Sequence, residues 1–171
     1  MICTECNSTI ENDCKYCTNC GVKVIVVSES KSGANWFFWI AALTVINSSV
    51  IAFFNSDYIF VIGLGATQII DYLGYELLKE SLSHTILNVI LFTLDMIIIG
   101  IFVLFGIFAR KRYTWAYIVG MVLYSLDAFI FIWLKDFLSF GFHLFALYFI
   151  YHGLILNEKY CAMLKNNTRK N

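Results

Sequence analysis

The feature that most constrains this chain is a series of long apolar runs that no soluble fold would tolerate. Trp36 to Phe54 is a stretch of 19 residues without a charge. A helix of that length crosses a bilayer core of ~30 Å, and its entry carries Trp36, Phe37, Phe38 and Trp39 as an aromatic belt. Ile86 to Ala109 carries Asp95 as its only charge, Tyr113 to Leu134 carries Asp127, and Phe137 to Leu156 carries His143 and His152. The chain is 60% hydrophobic and only 14% charged, against roughly a quarter charged in soluble domains. These runs predict an integral membrane protein, an all-α bundle with spans at about 36–54, 86–109, 113–134 and 137–156.

Residues 58–82 are of a different kind. The first part, YIFVIGLGA, is apolar, and a polar stripe of Gln68, Asp71, Tyr72, Tyr75, Glu76 and Lys79 follows at helical spacing. Ile69, Ile70, Leu73 and Leu77 lie on the other side, which predicts an amphipathic or re-entrant helix rather than a crossing. Cytoplasmic loops favour Lys and Arg. Four spans with the N-terminus inside place Arg110, Lys111, Arg112 and the basic tail 158–171 in the cytosol. Asn55 to Asp57 and Lys135 with Asp136 then fall outside. The lack of proline predicts continuous helices. The first apolar run begins only at Trp36, so no cleavable signal peptide is expected ahead of it.

Ahead of the spans, Cys3, Cys6, Cys17 and Cys20 form C-x2-C-x10-C-x2-C. Two such pairs, each on a tight turn, can converge on one tetrahedral ion, and four thiolates leave no open position for catalysis. Asn7 and Gly21 follow the second cysteine of each pair, where a left-handed backbone is needed. Val22 to Val27 reads as a β-strand, and residues 28–35 (SESKSGAN) as a linker. Cys14 makes a rival pair with Cys17, and free thiols or disulfides are the plain alternative. A reducing cytosolic side favours structural Zn2+. Cys161 stands apart as an ordinary thiol.

CTEC and KYCTNCG resemble the short zinc ribbons at the N-termini of many prokaryotic proteins, over about residues 3–27. GLGATQIID (63–71), WAYIVGMVLYSLDA (115–128) and FLSFGFH (137–143) look like an uncharacterised group of prokaryotic zinc-ribbon membrane proteins. That resemblance implies a ribbon at 1–27 on a membrane domain at 36–157, in the cytoplasmic membrane, and no particular activity.

Counting from the outer span ends, Asn47 lies seven residues in, Asp95 nine, Asp127 seven and His143 six. At ~1.5 Å per residue they share one level, with Gln68 and Asp71 as a cover. Buried charge in a membrane is costly, so the two aspartates should face inward, with His143 as their natural partner. A pocket for a proton, an ion or a small ligand is one reading; polar contacts that fix helix register are the other. Neutral net charge argues against nucleic acid. No G-x-G-D, G-x-S-x-G, H-E-x-x-H or phosphate loop occurs, which argues against an enzyme. The expectation is a membrane-anchored interaction or regulatory protein with a cytosolic partner. A homo-oligomeric ion- or proton-conducting subunit is the alternative.

Overall fold

A computed structural model describes residues 3, 6–9, 16, 17, 19–22, 24–54 and 63–168. Five helices make up nearly all of it: α1 (Val24–Phe54), α2 (Gly65–Leu78), α3 (His84–Arg110), α4 (Thr114–Trp133) and α5 (Phe137–Thr168). Three stretches, His84–Arg110, Thr114–Trp133 and Phe137–Lys159, are long and apolar enough to cross a membrane. The short helix α2 occupies the region expected to be amphipathic. Cys14, residues 55–62 and residues 169–171 lie outside the described residues.

Three sequence expectations give way. Val24 to Val27, read as a strand, opens α1, and residues 28–35, read as a linker, continue the same helix. Likewise, α5 runs through the basic tail as far as Thr168. The reason lies in Gly33, which sits against Gly153 of α5. A Cβ built on Gly33 would lie 2.5 Å from the Gly153 Cα, so the two backbones touch. That contact anchors the segment as helix, and propagation from a formed helix adds one hydrogen bond per residue.

Helix α1 packs on α3 and α5, and α4 closes the bundle against α5 and α3. The turns between α3, α4 and α5 are short, with Arg112 (φ 74°) and Lys135 (φ 59°) in the left-handed region. Asp136 caps α5 by accepting from the Leu138 and Ser139 amides, each at 3.2 Å. The core is built from Phe37, Ile40, Phe102, Phe105, Tyr117 and Tyr124. Facing outward are Ile97, Leu104, Val122, Leu126, Phe129 and Trp133, an apolar exterior rather than a polar one. Arg110 is held at the end of α3 by Asn35 Oδ1 at 2.8 Å and by the Phe38 ring.

Candidate functional site

The cysteine head is built from two copies of one turn. In the first, the Asn7 amide donates to the Cys3 carbonyl (3.0 Å) and the Cys3 amide to the Ser8 carbonyl (2.8 Å). In the second, the Gly21 amide donates to the Cys17 carbonyl (2.7 Å) and the Cys17 amide to the Val22 carbonyl (2.8 Å). Asn7 and Gly21 supply the left-handed residue in each, at φ 59° and 68°. Each turn aims its two sulfurs the same way, and the two turns face each other.

The four Sγ atoms of Cys3, Cys6, Cys17 and Cys20 lie within 4.8 Å of one another and could hold a metal ion. Cys3 to Cys20 is 3.7 Å and Cys6 to Cys17 is 3.5 Å. A tetrahedron of ~2.3 Å metal–sulfur bonds has edges of ~3.8 Å, so the donor set fits such an ion. The Ser8 hydroxyl lies 2.8 Å from the Cys6 sulfur and 3.3 Å from that of Cys17. That contact is the first cause holding Cys17 down at about 6, and it lowers Cys6 too. Burial pushes Cys20 up to about 12. An ion entering the site therefore finds one sulfur poised as thiolate and must displace a proton from another.

The head rests on α5. Cys3, Cys17 and Val22 form one apolar cluster with Leu156, and half-buried Cys6, Cys20 and Cys161 pack against it. Cys161 thus belongs to the surroundings of the head, although it is not one of the four converging thiols. Beside Leu156, Asn157 donates to the Arg112 carbonyl and to Thr114 Oγ1, both at 3.3 Å.

The polar residues of the bundle separate into two groups. In the first, Asp127 accepts from the Gly65 amide on Oδ2 (2.9 Å) and the Ala66 amide on Oδ1 (2.8 Å). The carboxylate therefore sits at the N-terminus of α2, where free amides and the helix dipole favour an anion. His143 Nε2 is 2.9 Å from Oδ2 as well. His143 Nδ1 lies 2.8 Å from the Ser139 carbonyl, which can only accept, so Nδ1 carries a proton. A bare Nε2 would set lone pair against lone pair, hence a second proton lies between Nε2 and Asp127. Tyr124 stacks on the imidazole at 4.3 Å between centroids, and Phe131 covers it at 4.8 Å.

Asp95 forms the second group, with α1 and α2. It is 1% exposed, and it has no basic partner and no backbone donor among the described residues. Ser48 lies beside it. Asn47 is buried on the same helix as Ser48, and half-buried Gln68 has its Nε2 unpartnered among the described residues. Burial, and then the charge of Asp95, raise Asp71 to about 7. His143 pairs with Asp127, one of the two aspartates the sequence offered it as partners. Sequence reasoning missed Ser8, Ser48 and Leu156. Ser8 alone left a signal, by repeating in the first turn the place that Val22 holds in the second.

Comparison with known protein families, with curated proteins and with solved structures returns no match.

Proposed function

We propose that this chain is a multi-pass membrane protein that presents a zinc-stapled cytosolic head to a protein partner. The observation that carries the reading is the convergence of four sulfurs at tetrahedral spacing on two matched turns, docked on a long apolar helix. Four thiolates from C-x2-C pairs suit Zn2+ in a closed, structural site. The apolar exterior of α3, α4 and α5 suits lipid. The apolar part of α1 supplies a fourth crossing, with α2 at the outer end and both termini inside. On this reading the head resembles a zinc ribbon in its paired turns, with α1 taking the place of a closing strand.

The head exposes Thr9, Tyr16 and Asn19. Tyr16 is the aromatic residue best placed to anchor a partner, since exposed aromatics dominate interface energetics. A metal held by four thiolates has no free position for a substrate. The test is metal content and co-purified protein from the intact chain in mild detergent. About one zinc per chain is expected, lost in Cys17→Ser, with a cytosolic protein retained by the wild type and released in Tyr16→Ala. A metal-free wild-type protein would overturn the zinc assignment, and retention of the same protein by Tyr16→Ala would overturn the partner surface.

A further inference from the structure

The two polar groups inside the bundle differ in how completely they are satisfied. Asp127 has three donors. Asp95, equally buried, has no basic partner and no backbone donor among the described residues; the Ser48 hydroxyl lies beside it. A carboxylate removed from water without donors is strongly destabilising, and such groups persist when paired, protonated or bound to a metal. Ser48 is as deeply buried, at 2% exposed, and its hydroxyl lies beside Asp95.

The helix packing brings a second carboxylate to the same place. A Cβ on Gly74 would lie 2.4 Å from Leu91 Cδ2, so α2 and α3 meet closely there. Asp71 is one turn before Gly74 and Asp95 one turn after Leu91. With the two helices antiparallel, these residues fall level, and the charge of Asp95 is felt at Asp71. Gln68 lies one turn before Asp71 and adds an amide, whose oxygen and nitrogen exchange on a flip. Three helices therefore bring oxygen-bearing side chains to one place, Asp95 and Ser48 buried and Asp71 and Gln68 half-buried, and these four side chains carry no sulfur or imidazole.

We propose that Asp95, Asp71 and Ser48 bind a small hard cation of the sodium or calcium type, with Asp95 as the principal ligand. Oxygen-only donors select such ions over zinc or copper. The cation neutralises Asp95, which the protein leaves unpaired, and ties α1, α2 and α3 together. The site is separate from the cysteine head, whose soft thiolates do not compete for these ions.

The experiment uses the full chain in detergent, stripped of cations, with radioactive sodium and radioactive calcium as two binding arms and thermal unfolding alongside. Saturable binding of one ion is expected, together with a rise in the unfolding midpoint. Whichever arm responds identifies the ion as monovalent or divalent. In Asp95→Asn the binding is lost, while the cation-free midpoint rises because an uncompensated charge has been removed. Ser48→Ala, a small change that keeps the fold, binds roughly tenfold more weakly. Absence of binding in both arms overturns the proposal, and so does undiminished binding in Asp95→Asn. A fall in the cation-free midpoint of Asp95→Asn would assign the residue to helix register instead.

Discussion

Asp127 receives hydrogen bonds from two different parts of the chain, the first amides of α2 and the imidazole of α5. Replacing it by alanine strands all three donors in a buried place. Breaking a buried charged pair costs on the order of 3–5 kcal/mol. Asp127→Ala should lose about that much in denaturant unfolding of the detergent-solubilised chain, with Asp127→Asn losing less because its amide oxygen still accepts. A loss under ~1 kcal/mol would mean that Asp127 does not hold α2 in place. The sequence predicted one depth for Asn47, Asp95, Asp127 and His143, because rise per residue is fixed along a helix. It could not give their azimuths, which depend on how neighbouring helices pack. That is why the choice of His143 between the two aspartates was not legible. The left-handed places at Asn7 and Gly21 were legible, since the requirement is local to each turn.

At the scale of elements, α1 and α5 meet backbone to backbone. A Cβ on Gly153 would stand 2.7 Å from the Gly33 Cα, a backbone atom that cannot step aside. Gly153→Ala should therefore push the helices apart and lower stability by about 1–3 kcal/mol, as overpacked cores do. Gly100→Ala provides the contrast, because a Cβ there meets nothing within 4 Å. Helix propensity alone should make it neutral or stabilising by up to ~1 kcal/mol. Parallel denaturation curves decide the matter, and equal effects at the two sites would refute the close crossing. The same contact accounts for the misread start of α1. VIVV at 24–27 has strand propensity, yet it continues into a helix already fixed at Gly33, and tertiary anchoring outweighs a local preference worth tenths of a kcal/mol per residue. Nothing in residues 24–35 themselves announces a partner more than a hundred residues away. The three apolar helices His84–Arg110, Thr114–Trp133 and Phe137–Lys159, by contrast, were legible because membrane-length apolar runs have few other solutions.

For the molecule as a whole, the question is what the cysteine head depends on. Some twenty residues bury too little surface to fold alone, so a metal at the four sulfurs would supply the folding free energy. The bundle has its own core and does not need that ion. Yet the two are not independent, because Leu156 shares a cluster with Cys3, Cys17 and Val22, and Cys161 packs against it. Chelation should therefore leave the far-ultraviolet helical signal nearly unchanged while it releases the head from α5. Hydrogen exchange should accelerate across residues 3–22 and also over the turn of α5 from Leu156 to Cys161, and slow again when zinc is restored. Faster exchange in the head with no change at Leu156 to Cys161 would show that the head does not brace the helix. Collapse of the whole helical signal would show instead that the bundle relies on the metal. The first outcome separates head from helix, and the second makes them one cooperative unit. Exchange confined to residues 3–22 and this turn corresponds to a small metal-dependent domain seated on a helix that is stable without it.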